Sequence, residues 1–97
     1  MSEAALTRAC VERLKKMRAA WRAVKWLKIH GGPMQAAGWP DLLVVIEGRV
    51  LFVELKGPDG RLTKLQAVML TDLKQAVATV GVCRSVEEFL WMIENPA

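Results

Sequence analysis

The sequence predicts a single α/β domain, and three observations carry that prediction. Its 97 residues suffice for one compact domain and leave no room for a second. The composition, 53% hydrophobic and 25% charged, excludes a disordered chain. Apolar periodicities alternate in the order helix, strand, hairpin, helix, strand, helix, without a linker or repeat. That order over residues 1–97 is typical of helices packed around a mixed sheet.

The first element is predicted to be an amphipathic helix with one apolar stripe. Glu3 projects into the middle of that stripe, whereas Glu12 lies almost opposite, among basic residues. A buried, unpaired carboxylate costs several kcal/mol, so Glu3 is either functional or a frayed residue favoured by the helix dipole. Position alone leaves both open. The stripe consists of Leu6, Cys10, Leu14, Met17, Trp21 and Val24, at steps of three and four.

A strand and a hairpin follow the first helix. The strand covers 24–30 and stops before the turn Gly31-Gly32-Pro33. Two apolar runs, 41–46 and 49–56, flank Glu47-Gly48 and predict a hairpin whose paired residue numbers sum to 95. Asp41 then faces Glu54, with the two side chains about 5 Å apart. Both faces are otherwise apolar, which predicts cover on both sides.

The remainder alternates between helix and strand. A capping box, Thr63 to Gln66, opens a helix that we expect to end at Gly81. Its apolar stripe consists of Leu65, Met69, Leu73, Ala76 and Val80. A short strand, 82–84, and a second capping box, Ser85 to Glu88, lead into a last helix that ends at Asn95-Pro96.

The charge is unevenly distributed along the chain. Residues 1–30 hold eight Lys and Arg against two Glu, whereas 31–60 hold two against four acidic residues. A basic arm before an acidic centre suits a protein that attracts a polyanion and holds a cation at one spot. A basic face that merely solvates a helix explains the charge equally well.

Several classes of protein are excluded by what the chain lacks. No apolar run approaches the roughly 18 residues of a membrane span, and the first residues do not resemble a secretory signal. Cys10 and Cys83 are far apart and form no metal motif, so we expect buried thiols in a reducing cytoplasm. Trp21, Trp26 and Trp91 occupy apolar positions and are expected in the core or in an oligomer interface.

A cluster of charged side chains is predicted at the mouth of the hairpin. Asp41, Glu54 and Lys56 point to one face, with Glu3 available from the first helix. Two adjacent carboxylates repel and need a neutralising partner, and Mg²⁺ is the economical one because it binds carboxylates and bridges phosphate. A purely structural cluster is the alternative, which the otherwise apolar hairpin disfavours.

The motifs resemble the PD-(D/E)XK nucleases, and more specifically the stand-alone, phage-type VRR-NUC domains. The general signature is Gly38-Trp39-Pro40-Asp41 followed by Glu54-Leu55-Lys56. The specific resemblance rests on the order and spacing of further segments over nearly the whole chain. They are Lys28-Ile29-His30-Gly31-Gly32-Pro33, Pro58-x-Gly60-x-Leu62-Thr63-x-x-Gln66 and Val82-x-Arg84-Ser85-Val86-Glu87-Glu88.

The resemblance implies a fold, a cofactor and a set of site residues. The fold is a restriction-endonuclease-like αβββαβ core around a mixed sheet, here with an extra C-terminal helix. The cofactor is Mg²⁺ or Mn²⁺, bound by Asp41, Glu54, the backbone carbonyl of Leu55 and Glu3. Lys56 is the implied catalytic lysine. Gln66 is implied to be functional, although its place in a capping box explains it without catalysis.

The resemblance and the basic arm together predict the partner. We expect a structure-selective endonuclease acting on branched DNA such as four-way junctions or flaps. It is expected to be a homodimer in the cytoplasm of a phage or bacterial host cell, without a membrane or small-molecule cofactor. The alternative is a catalytically inactive nucleic-acid-binding module. The predicted contacts with nucleic acid are Lys28, His30, Trp39, Arg8, Lys15 and Arg22.

Overall fold

The computed structural model of the chain describes residues 1–29, 38–76 and 79–95. The order of elements confirms the predicted fold class, with a final helix added to the αβββαβ core. The elements are α1 (Glu3–Ala19), β1 (Val24–Lys28), β2 (Leu42–Ile46), β3 (Arg49–Leu55), α2 (Lys64–Ala76), β4 (Thr79–Cys83) and α3 (Val86–Glu94). The strand predicted over 24–30 thus ends at Lys28, and His30 lies outside the described residues.

The four strands form one mixed sheet in the order β1-β2-β3-β4. The first two pairings are antiparallel, and β3 pairs with β4 in parallel. The hairpin register is confirmed, since Leu43 lies opposite Phe52 and Ile46 opposite Arg49. Glu47 and Gly48 both have positive φ, 47° and 82°, as a two-residue type I′ turn requires.

One face of the sheet is packed against α1 and α3. Both cysteines are buried free thiols here, as predicted, and burial raises the pKa of Cys10 to about 11. The packing of this layer sets the distance between α1 and the strands, and so it sets the position of Glu3 at the start of α1. The buried apolar side chains of the layer are Leu6, Cys10, Leu14, Met17, Val24, Leu42, Val44, Ile46, Leu51, Val53, Leu55, Cys83, Phe89 and Ile93.

The opposite face is only partly covered, so the expectation of cover on both sides is wrong for the described residues. Leu27 is 59% exposed, and Val45 and Val50 are each 42% exposed. Helix α2 contacts β4 and buries only Leu73 on this side. An apolar strip of β1, β2 and β3 therefore remains open among the residues that the structure describes.

Helix α1 ends earlier than its predicted stripe. The amide of Trp21 donates to the Arg18 carbonyl at 3.0 Å and the amide of Arg22 to Met17 at 3.1 Å, which is a Schellman motif. Trp21 occupies the left-handed position with φ 67° and is 95% exposed. The prediction that the apolar stripe of the helix includes Trp21 is wrong, because backbone bonding closes the helix despite the apolar spacing. Val24 begins β1, as the predicted strand over 24–30 requires.

The tryptophans do not form the predicted core. Trp21 is exposed, Trp91 is 67% exposed, and only Trp26 packs partly buried against the core. A core role is therefore wrong for Trp21 and Trp91, while a role in an oligomer interface stays a prediction.

The boundary between α2 and β4 also differs from the prediction. Helix α2 ends at Ala76, and Val80 and Gly81 belong to β4, where they pair with Phe52 and Val53 of β3. The predicted 82–84 strand therefore starts earlier. A Cβ on Gly81 would lie 2.7 Å from the Met92 sulfur. Gly81 thus leaves room for the Met92 side chain of α3 against β4 and does not terminate a helix.

The first predicted capping box is complete, and the second is formed in part. Gln66 Oε1 accepts from the Thr63 amide at 2.9 Å, and Thr63 Oγ1 accepts from the Gln66 amide at 3.1 Å. At α3, Ser85 Oγ accepts from the Glu88 amide, and Glu88 Oε1 reaches one residue further back, to the amide of Arg84. Among the described residues, no helix has both the length and the hydropathy to cross a membrane.

Candidate active site

Three elements of the fold converge at one end of the sheet. Helix α1 begins there at Glu3, β2 begins just after Asp41, and β3 ends just after Glu54. One carboxylate oxygen from each of these three residues lies within 4.8 Å of the others. The structure thus brings together the acidic residues that the sequence assigns to a metal site.

Asp41 is fixed by bonds on two sides. Its Oδ2 accepts from the Leu55 amide at 2.7 Å, and its carbonyl accepts from the Ile29 amide at 2.8 Å. Asp41 precedes β2, so it is not the ladder partner of Glu54 that the extended register predicts. The carboxylate instead crosses to the strand end and bonds the backbone beside Glu54, which brings the two acidic groups together.

The three residues before Asp41 explain how it is placed. Gly38 has φ 91°, and a Cβ there would lie 2.7 Å from the Leu65 carbonyl, so only glycine fits against the first turn of α2. Pro40 is fully buried. The Trp39 ring lies 5.9 Å from Phe52 and is 39% exposed. One part of the ring therefore packs on Phe52, and the other part is exposed to solvent beside the site.

Glu54 is the buried member of the cluster, at 1% exposure. Its pKa is raised to about 8, first by burial and then by the hydrogen bond and charge of Asp41 and the charge of Glu3, while the charge of Lys56 lowers it. Glu54 Oε2 is buried and has no hydrogen-bond partner among the described residues. The described residues therefore leave one carboxylate oxygen of the site unsatisfied.

Lys56 lies beside this carboxylate and is itself buried, at 8% exposure. Its amide donates to the Cys83 carbonyl at 3.1 Å, which continues the β3–β4 pairing past the end of the strand. Its side chain passes close to Gly60, where an added Cβ would lie 3.3 Å from Lys56 Cδ. The Lys56 side chain is thus buried between Gly60 and the acidic cluster.

Glu3 and Glu12 lie on different sides of α1, as the helix periodicity predicts, but Glu3 is exposed and not buried in the apolar stripe. Glu3 belongs to the acidic cluster and lies in the first turn of α1, which Ser2 caps by accepting from the Ala5 amide at 3.1 Å. Glu12 is exposed and pairs with Lys15 at 3.2 Å. Only Glu3 is therefore available to the site.

The donor set fits a hard divalent cation. All the clustered ligands are carboxylate oxygens, which Mg²⁺ and Mn²⁺ accept and which softer metals do not favour. The unsatisfied Oε2 of Glu54 supports the same conclusion, because a buried oxygen without a donor is stabilised by a cation.

The predicted nucleic-acid contacts are distributed unevenly around this site. Lys28 is exposed at the same end of the sheet, opposite Leu42, and Arg8 is exposed on α1. Lys15 is also on α1, where it forms an ion pair with Glu12. Arg22 lies at the other end of α1, where its guanidinium holds Glu47 and Glu94. Sequence reasoning assigned Arg22 to DNA without any sign of these partners.

Gln66 is engaged in the capping box described above, which accounts for its side-chain oxygen. It lies next to Leu65, whose carbonyl faces Gly38. The first turn of α2 therefore packs on the segment that carries Asp41.

One residue near the site was missed by sequence reasoning. Arg84, just after β4, donates from Nη1 to the carbonyls of Gly57 and Gly60, at 2.8 and 2.7 Å. The two glycines that follow Lys56 were the available signal, since closely spaced glycines indicate a turn that something must hold.

A mixed sheet with a carboxylate cluster and a buried lysine at one end defines the class of PD-(D/E)XK nucleases. The family model of the VRR-NUC domain matches residues 1–87, and the chain belongs to that family. It is therefore a nuclease, a hydrolase that acts on DNA. A solved structure of a VRR_NUC domain has the same fold, with a TM-score of 0.76 at 23% identity, covering 98% of this chain and 97% of that one. No curated protein matches the chain.

Proposed function

We propose that this nuclease is a divalent-metal-dependent endonuclease that hydrolyses phosphodiester bonds and leaves 5′-phosphate and 3′-hydroxyl ends. The observation that carries the proposal is the cluster of Glu3, Asp41 and Glu54 within 4.8 Å, with a buried lysine beside it. Charges of one sign are brought this close only where a cation or another strong interaction offsets their repulsion.

The residues that would bind the cation are Asp41, Glu54, the carbonyl of Leu55 and Glu3. Mg²⁺ or Mn²⁺, when bound, supplies a Lewis acid that polarises the phosphate and lowers the pKa of a water molecule. Asp41 needs no rearrangement, because the Leu55 amide already orients its carboxylate. Glu54 contributes the oxygen that otherwise lacks a partner.

Lys56 acts on the attacking water in this proposal. Its Nζ orients the water and accepts or shares its proton, a role that its position beside the acidic cluster allows. Gln66 positions phosphate or water from the first turn of α2. That second role comes in addition to its observed capping bonds.

The DNA backbone is contacted by the basic residues around the site. Lys28, Arg8 and Lys15 supply phosphate contacts, and His30 belongs to the same proposed set. Trp39 stacks on a base or sugar with the exposed part of its ring. Arg22 is left out of this set because two carboxylates hold it. Phosphate contacts carry no sequence information, so we expect recognition of DNA shape and a steep loss of affinity with salt.

The active form is a homodimer that prefers branched DNA. The support is the open apolar strip, in which Leu27, Val45 and Val50 are exposed on one face of the sheet. Exposed apolar patches mark interaction surfaces, and a twofold dimer is the commonest way to cover one. Two active sites related by a twofold axis match two strands of a four-way junction.

Cleavage of end-labelled DNA tests the proposal. A four-way junction, a flap and a linear duplex are each incubated with Mg²⁺, Mn²⁺ or EDTA, and light scattering gives the mass at the same protein concentration. We expect metal-dependent cutting, fastest on branched DNA, by a dimer. Binding in EDTA with no cutting in any metal would instead establish the inactive binding module. If a monomer cut linear duplex and branched DNA equally well, only the proposed dimer and the proposed preference for branched DNA would be contradicted.

The same assay with matched variants tests the site. Asp41→Ala and Lys56→Ala should be nearly inactive, and Lys56→Ala should still bind metal. Glu3→Ala should be impaired and Glu12→Ala, its control on the opposite side of α1, should be silent. The reverse result for the two glutamates would contradict the assignment of Glu3.

A further inference from the structure

A short loop follows Lys56 and lies between two parts of the site. We name residues 57–60 the glycine loop, because glycine stands at both ends. At its first end, a Cβ on Gly57 would lie 3.6 Å from the Glu3 amide. At its second end, a Cβ on Gly60 would lie 3.3 Å from Lys56 Cδ. The loop thus touches the start of α1 and the lysine side chain at once.

Arg84 holds both ends of the glycine loop. Its Nη1 donates to the carbonyls of Gly57 and Gly60, and the loop closes on itself through a 3.2 Å bond from the Gly60 amide to the Gly57 carbonyl. The backbone of Arg84 is itself anchored, since its amide donates to Glu88 at 2.7 Å. The loop is therefore tied to the junction of β4 and α3.

The guanidinium has no competing partner among residues 1–29, 38–76 and 79–95. The ion pairs found there involve Lys15 and Arg22 and do not include Arg84. Hydrogen bonds from a charged guanidinium to neutral carbonyls are strong, and the two bonds of Arg84 fix the shape of the loop. A loop fixed in this way limits the positions open to the Lys56 stem and to Glu3.

We propose that Arg84 is a positioning residue of the nuclease reaction, acting through the glycine loop on Lys56 and Glu3. The inference rests on the proposed function, because it requires that Lys56 and Glu3 serve the reaction. Small displacements of reacting groups lower rates by large factors, so a loosened loop affects the chemical step more than binding. A role of Arg84 as a phosphate contact would have the opposite pattern and weaken DNA binding.

Single-turnover cleavage separates these roles. With protein in excess over DNA, we expect Arg84→Ala to lower the maximal rate about 10–100-fold while the DNA affinity measured in EDTA changes less than about threefold. Both bonds to the loop come from the single atom Nη1, so Arg84→Met, which keeps the aliphatic stem and loses the donors, should be as slow as Arg84→Ala. A full rate in Arg84→Met would show that the bonds to the loop do not matter and would overturn the inference.

Ser85→Ala is the matched control. It removes the bond that caps the start of α3, but it leaves the guanidinium of Arg84 and the bond of the Arg84 amide in place. Thermal melting should show a loss of stability comparable with that of Arg84→Ala, and the cleavage rate should stay within about twofold of wild type. Equal rates in the two variants, or a defect of Arg84→Ala confined to DNA affinity, would contradict the positioning role.

Gly60→Ala tests the same route from the other side and does not depend on the folding of Arg84→Ala. Its Cβ crowds the Lys56 stem and should slow cleavage severalfold, whereas the Cβ of Gly57→Ala makes an ordinary contact and should be tolerated. Combining Gly60→Ala with Arg84→Ala should slow cleavage by less than the product of the separate effects. If the effects of the two substitutions on the cleavage rate simply multiplied, the inference that both act through the glycine loop would be overturned. A wild-type protein that never cuts would overturn the proposed function itself.

Discussion

Carboxylate side chains have opposite environments at the two ends of the sheet. At the site end, Glu3, Asp41 and Glu54 lie within 4.8 Å of one another, and no ion pair found among the described residues includes any of them. At the hairpin end, Arg22 holds both Glu47 and Glu94. Carboxylates are crowded without a paired cation at one end and paired at the other.

The difference shows where the fold gives up stability. Arg22 links the start of β1 to the hairpin turn and to the last turn of α3, and its guanidinium holds the pKa of Glu47 below its usual range. Glu54 has the reverse environment, since burial and Asp41 raise its pKa. A buried group kept in an unfavourable state is a feature of functional sites, so this difference supports the proposal that the site end serves the reaction. The hairpin end has the paired charges of a structural region.

Among substitutions that test the difference between the two ends, Glu54→Gln is expected to have the largest effect. The variant loses an anionic ligand, so cleavage should fall at least about a hundredfold. Without metal it should be more stable than wild type at pH 8, on the order of a few kcal/mol, because it removes a buried charge. The measurements are single-turnover cleavage and urea unfolding in EDTA.

The pH dependence of wild-type unfolding follows from the same group. Folded Glu54, with its pKa raised to about 8, keeps a proton that the unfolded chain releases near its ordinary value of 4.5. Its contribution to stability is therefore complete below about pH 4.5 and lost as the pH rises through about 8. Glu54→Gln should lack this component. The same pH dependence in both proteins would show that the Glu54 pKa is not raised.

The site was predictable to the extent that it depends on local pattern. The type I′ turn at Glu47-Gly48 sets the hairpin register, and the register carries Glu54 and the start of β2 to one end of the sheet. The helix period separates Glu3 from Glu12 without any knowledge of tertiary structure. These residues were found because each follows from the repeat of its own element.

What failed depends on contacts between distant segments. Val80 and Gly81 continue the spacing of α2, but pairing with β3 places them in a strand. The spacing that includes Trp21 is helical, but the backbone bonds of the Schellman motif end α1. Arg84 reaches the glycine loop across 24 residues or more of sequence, and no local period indicates such a bond.

A smaller effect, of opposite sign to that of Glu54→Gln, is expected from Arg22→Ala. Its two ion pairs are partly exposed, so the loss of stability should be about 0.5–1.5 kcal/mol and smaller in high salt. The cleavage rate should stay within about twofold of wild type. Urea unfolding at two salt concentrations checks the first part. A loss of DNA affinity as large as that of Arg8→Ala would show that Arg22 contacts phosphate after all.

The smallest effect concerns Trp21, whose side chain gains nothing from the fold around it. It occupies the left-handed position that glycine normally takes at the end of a helix, and its ring is 95% exposed. Trp21→Gly should therefore stabilise the protein by up to about 1 kcal/mol, reduced by the greater entropy of glycine in the unfolded chain. Trp21→Ala is the control, since it removes the ring but keeps the strained Cβ.

Urea unfolding of both variants, over a range of protein concentrations, decides what the ring does. If strain alone matters, only Trp21→Gly gains stability, and the gain is independent of concentration. If both variants lose stability, and lose more of it at high concentration, the ring is covered by a second copy of the chain. That outcome would contradict the strain argument and support the oligomer interface predicted for this tryptophan, because only burial between subunits would then stabilise an aromatic ring that the monomer leaves exposed.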